Sequence, residues 1–177
     1  MQQSFLPFIL LCILSISCSS ANNTNNPPLA KRGVINLKGW NHRGSVELNG
    51  EWEFYWKKLL TVDDFSGKAP PPDCYVMIPS AWNGLRVGNT AIDGNGYATY
   101  RLILHTDAIG TSMAFRIIDM RTAYRFFVNG RQIASNGTVG TNRASSVPQY
   151  LPLVVEYIPE TERLELILQI SNFHHAW

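Results

Sequence analysis

The chain has 177 residues, 45% hydrophobic and 16% charged, with a formal net charge of +2. So small a charge argues against nucleic acid as a partner and against a polybasic membrane patch. Of the three cysteines, Cys12 and Cys18 lie in the leader described next. Cys74 is then alone in the mature chain, without a disulfide partner, and reads as a buried, inert thiol.

Phe5 to Ser17 is an almost unbroken apolar run that leads into Cys18 and then into a polar Asn/Ser/Pro-rich stretch. As a helix those residues rise only about 20 Å, short of the roughly 30 Å core of a bilayer. The run fits a secretory h-region with small residues at its end. It predicts a signal peptide over residues 1–18, an Asn/Pro-rich tether over 19–32 and one domain over 33–177. Leu14-Ser15-Ile16-Ser17-Cys18 looks like a bacterial lipobox, which would make Cys18 the lipidation site. Its leucine stands four residues before the cysteine, where three is usual. Cleavage after Ser19-Ser20-Ala21 and an uncleaved anchor are the alternatives. The expected location is outside the cytoplasm, periplasmic or at the cell surface, with membrane attachment by a lipid and a polar tether.

The remaining residues are punctuated by four Asn-Gly dipeptides, at Asn49-Gly50, Asn83-Gly84, Asn129-Gly130 and Asn136-Gly137. Both residue types tolerate positive φ, which two-residue hairpin turns demand. Val46 and Leu48 before the first turn, with Trp52, Phe54 and Trp56 after it, predict one hairpin. Tyr124–Val128, Asn129-Gly130 and Gln132-Ile133 predict another. Tyr100–His105 and Leu164–Ile170 alternate as half-buried strands do, and Ala114–Met120 is a further apolar strand. Only Trp56–Leu60, followed by Val62-Asp63-Asp64, offers a short helical turn. About eight short strands with prolines at their edges predict an all-β jelly-roll sandwich.

The motifs come in a particular order. Leu48-Asn49-Gly50-Glu51-Trp52-Glu53-Phe54 is followed by Ile78-Pro79-Ser80-Ala81-Trp82-Asn83, then Gly94-Asn95-Gly96-Tyr97-Ala98-Thr99-Tyr100-Arg101. Ala123 to Gly130, Gly137-Thr138-Val139-Gly140 and Gln169-Ile170-Ser171-Asn172-Phe173-His174-His175 complete it. Over residues 33–177 this order resembles the second type of extracellular sensory domain in bacterial seven-transmembrane receptors with diverse intracellular signalling modules. More loosely, it is similar to the sugar-binding domain of glycoside hydrolase family 2. Both resemblances imply a galactose-binding-like jelly roll, with carbohydrate as the ligand class. The receptor pattern continues into a Gly-rich stretch and membrane helices, whereas this sequence ends at Trp177. A free-standing secreted relative and a truncated receptor remnant are therefore both expected alternatives.

No catalytic constellation stands out. The sequence has no Gly-x-Ser-x-Gly elbow, no His-Glu-x-x-His and no paired zinc cysteines, so neither an enzyme nor a cofactor is expected. Glu51 and Glu53 read as a solvated strand face. His174 and His175, as strand neighbours, point to opposite faces and do not chelate one ion together. A sandwich could gather several of Arg101, Arg116, Arg121, Arg125, Arg131 and Arg143 at one rim, although outward arginines laying their stems over apolar sheet are the better reading of them. Trp82 and Tyr97 stand in Gly-rich loops. Trp82, Tyr97, Arg121, Tyr124 and Arg143 are accordingly the candidate residues for an anionic or carbohydrate ligand, because guanidinium forks bind carboxylate or hydroxyl oxygens and aromatic faces stack on sugar C–H surfaces. The expected function is a non-catalytic ligand-binding or sensory module. A surface module with a membrane-protein partner is the alternative.

Overall fold

The computed structural model describes residues 27–40, 44–118 and 120–175. The expected signal peptide, Cys18 and most of the expected tether lie outside them. Eleven strands are present among the described residues: β1 (Val34–Asn36), β2 (Gly50–Trp56), β3 (Cys74–Ile78), β4 (Arg86–Val87), β5 (Thr90–Ala91), β6 (Gly96–His105), β7 (Met113–Ile117), β8 (Ala123–Val128), β9 (Arg131–Asn136), β10 (Leu153–Tyr157) and β11 (Arg163–Asn172). A single short 3-10 turn, Val62–Phe65, interrupts them. The expected all-β sandwich is the observed fold.

The main sheet runs β3-β2-β6-β11-β8-β9. Along the far edge of β6, β2 pairs with Ala98–Arg101 and β1 runs parallel to Ile103–His105. One face of this sheet carries Phe54, Tyr100, Leu102, Leu166, Leu168 and Phe126 into the core. It is covered in two places. The antiparallel pair β7–β10 lies over one half, with Phe115 edge-on to Phe126 at 5.3 Å. Over the other half, the 79–96 segment inserts Trp82 and Ile92.

The opposite face is covered as well, by the segment between β2 and β3. Its 3-10 turn is capped by Asp64, whose carboxylate accepts from the Thr61 amide at 2.7 Å and hydroxyl at 3.1 Å. Phe65 from that turn packs against Tyr55 at 5.4 Å. It also lies 4.3 Å from the Arg101 guanidinium. This cover corrects two readings. Leu164–Ile170 is buried on both faces, not one. Glu53 is not solvated: it takes one arm of Arg101 at 2.8 Å, while Glu165 takes another at 2.6 Å. Burial alone lowers the Arg101 pKa, but the hydrogen bonds to both carboxylates outweigh it and the net shift is upward.

The turn dipeptides divide by context. Asn129 (φ 48°) and Gly130 (φ 80°) join β8 to β9, with Val128 opposite Arg131, as the sequence predicts. Asn49-Gly50 makes no hairpin. Gly50 has φ 118° because β2 there passes against Ala30, and a side-chain carbon would meet the Ala30 carbonyl oxygen at 2.4 Å. The Ala30 amide donates to Asn49 and its carbonyl accepts from Glu51, at 2.8 and 2.9 Å. Ala30 is thus already part of the packed domain. Asn136-Gly137 closes β9 and begins a long loop. The hairpin near Asn83-Gly84 is instead β4–β5, turned by Gly88-Asn89. The strand expected over Ala114–Met120 ends at Ile117. Cys74 is a free thiol, half-buried beside Phe54, with its pKa raised first by burial and then by Asp73.

Candidate binding cleft

Antiparallel pairing brings four strand ends to one end of the sandwich. Gly96 at the start of β6 faces Asn172 at the end of β11, and Ile170 faces Tyr124 near the start of β8. Tyr124 in turn faces Asn136 at the end of β9. On the core face the cover thins here, between the 79–96 segment and the β7–β10 pair. A cleft of two adjoining hollows, about 410 and 210 Å³, opens at this place. Met120 and Arg121, on the loop between β7 and β8, belong to both hollows.

Trp82 and Tyr100 line the smaller hollow together with Ile170 and Asn172. Trp82 is not an exposed loop residue as the sequence suggests: only 7% of it is accessible. Its ring lies parallel to Tyr100 at 6.5 Å and edge-on to Trp56 at 5.5 Å. Its Nε1 donates to the Gly94 carbonyl at 3.1 Å, and Asn172 donates to the same oxygen at 2.9 Å. Trp82 therefore presents a fixed wall rather than a free platform. Burial pushes the Tyr100 phenol well above the usual tyrosine range, with a smaller push from Cys74.

The larger hollow lies between Tyr124 and Asn136 on its floor side and a strap, residues 148–151, on the other. The strap is tied at several points. The Gln149 amide donates to the Thr122 carbonyl at 3.0 Å, and the Gln149 side-chain oxygen accepts from the Gly137 amide at 3.0 Å. Asn136 donates through Nδ2 to the Gln149 carbonyl at 3.0 Å. Tyr150 is 69% exposed on the strap, a large aromatic surface at the cleft mouth. Tyr124 is 1% and Asn136 6% exposed, yet the Tyr124 hydroxyl and Asn136 Oδ1 have no hydrogen-bond partner on the protein. Buried polar atoms are rarely left so. Burial raises the Tyr124 pKa.

Arg121 stands where the hollows meet, with Nη1 3.0 Å from His175 Nε2. A guanidinium only donates, so that ring nitrogen accepts. His174 turns elsewhere, its Nε2 2.9 Å from the Ser146 carbonyl. Among the described residues no carboxylate lines either hollow. Also among them, no three His, Cys, Asp or Glu side chains are grouped to hold a metal ion.

Of the five expected ligand-binding residues the fold unites Trp82, Arg121 and Tyr124. Tyr97 alternates with Ala98 and Tyr100 off the core face and lines neither hollow. Arg143 is also outside, donating to the Phe173 carbonyl. The arginines do not gather at one rim. Arg101 is in the ion-pair cluster on the other face, and Arg131 begins β9 at the opposite end of the sandwich. Asn136 was hidden in the sequence as half of a turn dipeptide. Its only available signal was the hairpin register that sets it against Tyr124.

No protein-family model matches the chain, and no curated protein matches it in sequence. Its structure is similar to part of the beta-glucuronidase of Ruminococcus gnavus, with a TM-score of 0.53 at 16% identity over 71% of this chain. It is likewise similar to part of the beta-glucuronidase of Faecalibacterium prausnitzii, with a TM-score of 0.52 at 15% identity over 75% of this chain. The alignments span only 20% and 22% of those enzymes. At such identity the likeness establishes a shared β-sandwich fold and no more.

Proposed function

We propose that the chain is an exported, non-catalytic module that binds a carbohydrate in the strand-end cleft. The observation that carries this reading is the cleft itself. It joins a fixed aromatic wall (Trp82, Tyr100), a cation (Arg121) and two buried polar atoms that the protein leaves unpartnered. Apolar walls with a few convergent polar groups are the usual composition of a ligand site. The fold shared with part of two glycosidases and the motif order of a sugar-binding domain support the ligand class. The apolar run Phe5–Ser17 and Cys18 support export and lipid anchoring, and the motif order also supports kinship with receptor sensory domains.

The test is an immobilised glycan array probed with the exported chain and with its Arg121→Ala variant. Saccharide binding that the variant loses is the expected result. No glycan bound, with tight capture of a membrane protein instead, would replace this reading by the second one. That alternative, a surface module for a protein partner, is favoured by one observation. Tyr150, Val154 and Ile158 are 69%, 66% and 56% exposed, on the strap and on and beside β10.

A further inference from the structure

Tyr124 and Asn136 are directly opposite on neighbouring antiparallel strands and both face the core side of the sheet. Their Cβ atoms are therefore about 5 Å apart. The amide of Asn136 is oriented without ambiguity, because its Nδ2 faces two carbonyls, Gln149 at 3.0 Å and Leu151 at 3.5 Å. Its Oδ1 is then an acceptor that needs a donor, and the Tyr124 hydroxyl is a donor that needs an acceptor.

Taking the strand-end cleft as the carbohydrate site, we infer that its larger hollow reads an uncharged, hydroxyl-bearing edge of the ligand. The ligand is a neutral pyranose and not the matching uronic acid. A hydroxyl accepts from Tyr124 and donates to Asn136, alone or with a neighbouring hydroxyl, so both buried atoms are satisfied. A carboxylate has only acceptors. It would serve Tyr124 but set a negative charge against Asn136 Oδ1, and burying an unpaired acceptor is how polar sites reject a near-isostere. Arg121, one arm of which is already on His175, also donates to sugar hydroxyls, so its cation does not by itself demand an acid. Both atoms are closed off from solvent, and Asn136 holds the 148–151 strap. The strap has to shift as the hydroxyl enters.

The experiment titrates the full exported chain with D-glucose, D-galactose, their disaccharides, sodium D-glucuronate and sodium D-galacturonate, reading calorimetry and the thermal midpoint. The wild type, Tyr124→Phe and the surface control Val154→Ser are compared. The expected result is binding of a neutral sugar in preference to its uronate, weakened roughly tenfold in Tyr124→Phe and unchanged in Val154→Ser. A uronate bound more tightly than its neutral counterpart would overturn this inference and leave the cleft as the sugar site. Unchanged binding in Tyr124→Phe would also overturn it, assigning the hydroxyl to a trapped water. No response to any of these sugars would overturn the inference and the carbohydrate reading together.

Discussion

Two buried polar groupings, one on each face of the central strands, differ in how far the protein completes them. Under the 57–72 segment, Arg101 is held by Glu53 and Glu165, roofed by Phe65, and joined by the Tyr55 hydroxyl, which donates to Glu53 at 2.8 Å. Across the sheet, at the strand ends, Tyr124 and Asn136 are as deeply buried but keep one polar atom each without a protein partner. A completed cluster fixes the fold, because any loss leaves an uncompensated buried charge. Among the described residues, unpartnered buried atoms also occur on the Arg101 face, at Gln169 Oε1 and Arg125 Nε, but of the four only those of Tyr124 and Asn136 belong to residues lining a hollow. What sets the strand-end pair apart from the ion-pair cluster is thus the open hollow beside it.

The largest effect expected is on the completed face. Arg101→Met strands two carboxylates whose side chains are only 15% and 8% exposed. It should cost about 3–5 kcal/mol, read as a fall of roughly 10 °C in the thermal midpoint. A fall of only a degree or two would mean that water reaches the cluster. Next comes Trp82→Ala, which removes a ring packed against Phe54, Trp56 and Tyr100. Because one edge already lines the smaller hollow, the loss should lie near the low end of the range for such truncations, about 3 kcal/mol by denaturant melts. A neutral result would restore the free-platform reading of Trp82.

Alkali probes both faces at once. Burial, reinforced by Glu53, raises the pKa of Tyr55, and burial raises those of Tyr100, Tyr124 and Tyr157. Their protonated forms are thus favoured by folding. The stability they contribute is fully present below the unfolded value of about 10 and is lost as pH rises above it, by up to about 1.4 kcal/mol per pH unit for each. Midpoints measured from pH 9 to 11 should fall progressively, and less steeply in Tyr100→Phe. The smallest effect on stability is expected of Tyr124→Phe. Removing an unpaired buried hydroxyl should change stability by less than about 1 kcal/mol, or increase it. A loss as large as that of Trp82→Ala would show that the hydroxyl has a structural partner.

Much of the fold was legible because its signals are local. Alternation marked β2, β6, β8 and β11, and Asn129-Gly130 marked its hairpin by requiring two positive φ values in succession. What was misread depended on contacts distant in sequence. Gly50 is a glycine because Ala30 passes over it, not because the chain turns. Glu53 looked solvated because its partner Arg101 stands 48 residues away. The candidate site was half legible. Residue type pointed to Trp82, Arg121 and Tyr124, but only the strand register shows that Tyr97 alternates to the other side and that Asn136 meets Tyr124.

Binding of a hydroxylated ligand in the strand-end cleft can be watched at the cleft itself. Its most direct test follows the side-chain amide of Asn136 by 1H–15N correlation spectroscopy while a neutral disaccharide is added. Saturable shifts of the Asn136 amide and of the Gln149 and Thr122 backbone signals are expected, with β1 and the Arg101 cluster unmoved. Saturable shifts confined to the exposed face of β10, or none in the presence of any saccharide, would contradict it.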